Sequence, residues 1–265
     1  QPRARIVNAD FARADLPASF DLAIGNPPFS DRTVRSDRMY RSMGLRLHDY
    51  FIARSIDLLK PGGLAAFVTS VGTMDKADSS AREHIAKSAD LVAAIRLPEG
   101  SFRQDAGPDV VVDILFFRKR KPGEAEGDVS WLEIDEVRPA DRDDSAIRLN
   151  RWFARHSDFV LGSHATKSGP FGDTYTCLPR QGVDLEQALS EAISLLPEAI
   201  YDGEPEVIDR DADDSIDCVD DLRPDAIAIR AGSYLIAMNT ALMQMVEGAP
   251  VPITVRKARS YNGVP

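Results

Sequence analysis

The apolar run FDLAIG at residues 20–25 is stopped by Asn26-Pro27-Pro28-Phe29, and that stop constrains the fold more than any other stretch. Two consecutive prolines remove two ladder donors and hold the backbone near polyproline geometry, while Pro27 biases Asn26 toward an extended conformation. A strand that enters this segment must end in it, leaving carbonyls that no neighbouring strand uses. In an open parallel sheet, the carboxyl ends of the strands border the ligand crevice. One point in the chain therefore offers an amide oxygen, free carbonyls and an aromatic ring.

The surrounding residues predict an α/β fold. Short apolar runs at Arg5 to Asn8, Phe20 to Gly25 and Leu64 to Ser70 read as buried parallel strands. Between the last two, Leu47, Phe51, Ile52, Ile56 and Leu59 recur at about every fourth position, the pattern of a helix with one apolar stripe. Lys60-Pro61-Gly62-Gly63 should stop that helix. A second helix is predicted over Ser79 to Lys87, then strands over Leu91 to Leu97 and Asp109 to Arg120. The loop between those strands has no room for a crossover helix, so they should pair as an antiparallel hairpin at the sheet edge.

From about Lys121 the character changes. VSWLEIDEV reads as a strand, residues 150–179 as an irregular packed region rich in aromatics, and LEQALSEAISLLPEAIY as an amphipathic helix. The expected division is an α/β domain over 1–120, an extension over 121–200, an acidic linker over 201–225 and, over 226–265, a small β unit or the start of a next domain.

The strand-terminal loop suits a planar ring that carries an exocyclic NH2. The Asn26 amide oxygen and the Pro27 carbonyl can accept its two protons, and Phe29 can stack on the ring. An aromatic amine is a weak nucleophile because its lone pair is delocalised. Hydrogen bonds that draw the nitrogen toward tetrahedral geometry localise that pair.

These residues resemble the class I S-adenosylmethionine-dependent amino-methyltransferases of the DNA adenine-N6 type, which carry an Asn/Asp-Pro-Pro-Tyr/Phe signature. The strand FDLAIG before the motif, the helix ending in LLKPGG followed by LAAFVTS, and the pair LVAAIRL and VVVDILFFRKR fall where that family has them, so the resemblance covers about residues 5–120. It implies a partial Rossmann-like sheet, mostly parallel with an antiparallel edge hairpin, followed by a mixed α+β extension. It further implies S-adenosylmethionine as cofactor and Asn26, Pro27, Pro28 and Phe29 as the target-amine site. Asp10 and Phe11 would lie against the cofactor's adenine. The substrate would be an adenine flipped out of duplex DNA. Arg32, Arg35, Arg38, Arg41 and Arg46 follow the motif, outnumber Asp31 and Asp37, and form a candidate DNA contact.

One departure stands beside the match. In the family's common order a glycine-rich cofactor loop precedes the motif by several tens of residues, whereas only 25 residues precede Asn26 here. Of the downstream glycine stretches KPGG, AGPD, GPFGD and RAGSY, none reads as following a strand and opening a helix. The expectation is a segment of a longer enzyme, inactive by itself. Residues after Arg120 also resemble the segment that follows the methylase core in large phage- and plasmid-encoded methyltransferase–helicase proteins, which implies a fused helicase domain. Protein-glutamine and RNA guanine-N2 methyltransferases share the amide chemistry and stay open as alternatives, as does a nonenzymatic DNA-binding remnant.

The net charge of −10 argues against a surface that is basic throughout, so any nucleic-acid contact must be local. Two cysteines in unrelated contexts and four scattered histidines suggest neither a disulfide framework nor a metal site, and a reducing cytoplasm is expected. No apolar run approaches the roughly 20 residues that span a bilayer. His48, at a helix start, reads as a surface or capping residue; Trp131 and Trp152 read as core, and Cys177 as an inert packed thiol.

Overall fold

The computed structural model describes residues 9–101, 110–138, 146–169 and 172–201, together with three strands nearer the carboxyl terminus. The chain divides into two compact units, Gln1–Pro205 and Glu206–Pro265. The predicted strand Arg5 to Asn8, the acidic run from Asp202 to Asp225 and most of the loop before β4 lie outside the described residues.

In the first unit, β1 (Phe20–Gly25), α1 (Leu47–Asp57), β2 (Leu59–Ser70), α2 (Gly72–Asp75), α3 (Ser80–Ala86), β3 (Ala89–Leu97) and β4 (Val112–Lys119) follow in chain order. The sheet order is β1-β2-β4-β3. β1 runs parallel to β2, with Gly25 opposite Phe67, whereas β4 runs antiparallel to both its neighbours. The α/β class and the reversed edge hairpin are thus both present. β4 takes an inner place, hydrogen-bonded to β2 on one side and β3 on the other, with Leu115 and Phe117 buried.

Helix α1 ends at Asp57, two residues before Leu59, the last residue of its predicted apolar stripe. Leu59 already belongs to β2, because it aligns with Phe20 and the Phe20 N–H donates to the Leu58 carbonyl at 3.2 Å. Lys-Pro-Gly-Gly enters the strand as an irregularity, and the register jumps from Phe20 opposite Leu59 to Leu22 opposite Leu64. Glycine at 63 permits a close approach there, since a Cβ would crowd the Lys60 carbonyl oxygen at 3.0 Å and that of Asp21 at 3.1 Å.

Ile52, Ala53 and Ile56 of α1, Phe67 of β2 and Leu115 and Phe117 of β4 form the centre of the core. Trp131, Leu149, Trp152 and Phe153, all from beyond residue 120, are buried in the same cluster. Trp131 sits in a short turn of 3-10 helix (Ser130–Leu132), and the elements that follow it are β5 (Ile134–Val137) paired with β6 (Ile147–Asn150), α4 (Arg151–Arg155), the hairpin β7 (Gly162–Gly169) and β8 (Gly172–Pro179), and α5 (Leu185–Ser194). Where the sequence predicts irregular structure, β7 and β8 form a regular antiparallel ladder. Dense Gly and Pro concealed it, since they punctuate hairpins as readily as they punctuate loops.

A buried ionic cluster ties these elements to the sheet. The Arg96 guanidinium donates to both carboxylate oxygens of Asp113, at 2.7 and 2.8 Å, and to Asp75 at 2.8 Å. It also lies 4.1 Å from the Phe153 ring centroid and 4.9 Å from that of Tyr175. The Asn150 side chain donates to the Met74 and Trp131 carbonyls, and its own N–H reaches Asp75.

The second unit contains β9 (Tyr234–Ile236), β10 (Leu242–Val246) and β11 (Ala249–Pro252), joined as an antiparallel sheet with β10 in the middle.

Candidate active site

Asn26-Pro27-Pro28-Phe29 leaves the carboxyl end of β1, as the double proline requires. Pro27 is buried, and Asn26, Pro28 and Phe29 face solvent, Phe29 at 38% exposure. Among the described residues neither the Asn26 amide nor the carbonyls of Pro27 and Pro28 have a hydrogen-bond partner. A buried proline seats the loop while its polar groups and ring remain available. Beside it β1 carries apolar side chains in solvent, with Leu22 56% and Ile24 77% exposed.

Asp10 and Phe11 open a tight turn in which the Ala12 N–H donates to Asp10 Oδ1 at 3.0 Å and the Arg13 and Ala14 N–H groups donate to the Asp10 carbonyl at 2.9 Å. The Asp10 carboxylate is exposed and keeps acceptor capacity, which fits a ligand amino group. Phe11 is committed to α1. It stacks on Phe51 at 5.0 Å between ring centroids and meets Tyr50 edge-on at 6.2 Å. Its ring anchors the turn that presents Asp10.

Arg54, in the middle of α1, was missed from the sequence and organises both segments. Its guanidinium donates to the Ala12 and Ala14 carbonyls, at 3.3 and 2.6 Å, and lies 5.0 Å from the Phe11 ring centroid. It also pairs with Asp37 in the loop after the motif. The signal was an arginine inside the otherwise apolar stripe of a buried helix, a position that arginine occupies only with partners.

The arginine-rich loop is closed at its base by a bridge between Thr33 and Arg46 and by the Arg46–Asp31 ion pair at 3.0 Å. Asp37 is turned inward onto Arg54 and the Tyr50 hydroxyl, the latter at 2.9 Å. Burial pushes its carboxyl up, but the Met39 N–H, Tyr50 and Arg54 outweigh that and hold it below its usual value. With both acids of the loop engaged, Arg32, Arg35, Arg38 and Arg41 stand exposed, without an ion pair among the described residues. Arg46, half-buried, acts as a strut of the loop.

His48 is buried, contrary to the surface position its place at a helix start suggests. Burial pushes its ring below the usual histidine value, so it is neutral near pH 7. Both ring nitrogens lack a hydrogen-bond partner, and Nε2 lies 3.6 Å from Asp49. Trp131 and Trp152 are core residues as predicted. Cys177 is fully buried and its thiol is pushed up to about 11, as suits an inert group. The described residues hold no cluster of metal-ligating side chains and no helix long and apolar enough to cross a membrane.

A mixed sheet with a reversed edge hairpin and an Asn-Pro-Pro-Phe loop at a strand's carboxyl end is what the resemblance to the class I methyltransferases implies. Residues 4–102 match the family described as Eco57I restriction-modification methylase. The chain is 32% identical over 111 residues to the "Defense against restriction protein B" of Escherichia phage P1, an overlap of 41% of this chain and 5% of that protein. It is 35% identical over 79 residues to the type II methyltransferase M.XhoI of Xanthomonas vasicola, covering 25% of this chain and 14% of the relative. The chain thus spans only a small part of the curated relatives it matches. Among solved structures it is similar to a modification subunit assigned to a type I restriction enzyme of Vibrio vulnificus YJ016, at 25% identity and a TM-score of 0.36, over 42% of this chain and 26% of that one. It is also similar to the M protein of the type I restriction enzyme EcoKI, at 15% identity and a TM-score of 0.31, over 68% and 48%.

Proposed function

We propose that the full-length protein transfers a methyl group from S-adenosylmethionine to the exocyclic N6 amine of an adenine in DNA. The observation that carries this is the solvent-facing Asn26 amide, without a partner among the described residues, beside an exposed Phe29 ring. An exposed amide at a strand's carboxyl end is available to a ligand amine, whereas the buried Asn150 amide is taken up by the Met74 and Trp131 carbonyls.

The Asn26 amide oxygen and the Pro27 carbonyl accept the two protons of the amine and turn its lone pair out of conjugation. Phe29 stacks on the base and sets the plane of attack. The cofactor, when bound, supplies an electrophilic methyl group, and the Asp10 carboxylate accepts from its adenine amino group. The base reaches the loop only when flipped out of the duplex. Arg32, Arg35, Arg38 and Arg41 bind the phosphates around it and favour a nucleic-acid substrate over a protein glutamine. Residues 121–200, sharing one core with the sheet, contribute to target recognition.

The test supplies the full-length protein with labelled S-adenosylmethionine and unmethylated genomic DNA. Label is expected on N6 of adenine, and Asn26→Ala should lower transfer by roughly a hundredfold or more. Label on protein and none on DNA would overturn the assignment.

A further inference from the structure

Met39 is the most exposed large apolar side chain of the arginine-rich loop, at 70%. A single exposed apolar residue needs no explanation by itself. Its presentation sets this one apart. The residue two places before it, Asp37, and the one directly after it, Tyr40, are both buried. Asp37 Oδ1 accepts the Met39 N–H at 3.0 Å and the Asp37 carbonyl accepts the Arg41 N–H at 3.0 Å, so Met39 sits at the crest of a closed turn. That turn is clamped from beneath. Tyr50 and Arg54 hold Asp37, and the Tyr40 hydroxyl donates to Asp57, itself 2.8 Å from His84 Nε2. Tyr40 also packs edge-on against Tyr50 at 5.3 Å and His84 at 5.5 Å. Arg38 and Arg41, exposed and without an ion pair among the described residues, flank Met39.

From this juxtaposition we propose that Met39 is a wedge that enters the base stack of DNA and fills the space vacated by the flipped nucleotide. The proposal rests on the DNA-adenine assignment above and names the residue that makes flipping affordable. An apolar wedge does this work when its backbone cannot recoil and when neighbouring cations grip the phosphates on either side. The turn meets both conditions: its two anchors are buried on α1 and its ion-pair network, and its crest is bracketed by arginines. Methionine is unbranched and polarisable, suited to sliding between stacked bases. A serine or lysine at the crest would keep the turn but bring no apolar surface to the gap.

The experiment uses the full-length protein and first maps the adenine modified by the wild type. Two duplex oligonucleotides are then made, one with that adenine paired to thymine and one with an abasic site opposite it, so that flipping is nearly free. Met39→Ala should lose roughly tenfold or more in kcat/KM on the paired duplex and recover most of it on the abasic one, because only the first requires the wedge. Met39→Leu should retain most of the wild-type rate on both. Equal loss on both duplexes would show a structural role and overturn the proposal, as would a Met39→Ala rate within twofold of wild type on the paired duplex. Absence of label on DNA from the wild type would overturn the adenine assignment instead, and the wedge with it.

Discussion

Between Asn26 and Arg41 the protein leaves an amide, an aromatic ring and four guanidinium groups in solvent, whereas around Arg96 the charges are paired and almost wholly out of solvent. Arg96 meets two carboxylates and lies against two aromatic rings. Asn26 meets nothing among the described residues. The contrast separates groups that hold the shape from groups kept for a ligand. Paired buried groups stabilise by staying where they are; unpaired exposed ones contribute almost nothing to folding and are free to bind. Arg54 joins the two kinds of region. Its own partners are structural, yet they present Asp10 on one side and the arginine-rich loop on the other.

The sharpest way to break this comparison is to exchange a residue on each side. Arg96→Met should destabilise the fold by about 3–5 kcal/mol, because it strands the buried Asp113 and Asp75 carboxylates. Asn26→Ala should change stability by no more than about 0.5 kcal/mol while removing activity. Urea denaturation of both variants reads the difference, and equal stabilities would show that the division is false. A smaller loss, about 3 kcal/mol, is expected for Trp131→Ala, a buried residue beyond position 120 that packs edge-on against Phe117 of β4. If instead the sheet's unfolding midpoint stayed put, the extension would not share its core.

On the exposed side, Arg38→Gln and Arg41→Gln should each lower the slope of log affinity for DNA against log salt by about one, weakening all sequences alike. Filter binding at several salt concentrations measures it, and an unchanged slope would remove the loop from the interface. The smallest effect is in pH. Asp37 is held below its usual value, so its contribution is fully present above the unfolded value near 3.8 and is lost as pH falls through its lower folded value. Asp113 is the reverse: burial lifts its carboxyl to about 6, so that core cluster loses stability as pH rises from about 4 to 6. Amide exchange at residues 37–41 and at β4, followed from pH 3 to 7, should therefore move in opposite directions.

Much of the sheet was legible because strand periodicity and turn residues are local signals. FDLAIG before a double proline, LAAFVTS after a glycine pair and VDILFF each fall within a strand of the structure. The β7–β8 hairpin was not legible, since its strands carry His, Thr, Lys and Ser and depend on burial of Ala165 and Cys177 against the rest of the fold. Helix α1 ended early for the same kind of reason. Its last apolar residue is claimed by pairing with Phe20, a contact that no window around Leu59 contains.

The sequence by itself determined where β1 must stop and which groups the stop exposes, because proline geometry is a property of the residue. It also determined the hairpin of β3 and β4, since the connection is too short for anything else. Only the tertiary structure decided that β4 lies inside and β3 at the edge, that Asp37 turns inward while four arginines stay out, and that Arg54 serves two segments at once. Each of those depends on which buried charges find partners across the chain, and partners more than 15 residues apart leave no periodic trace.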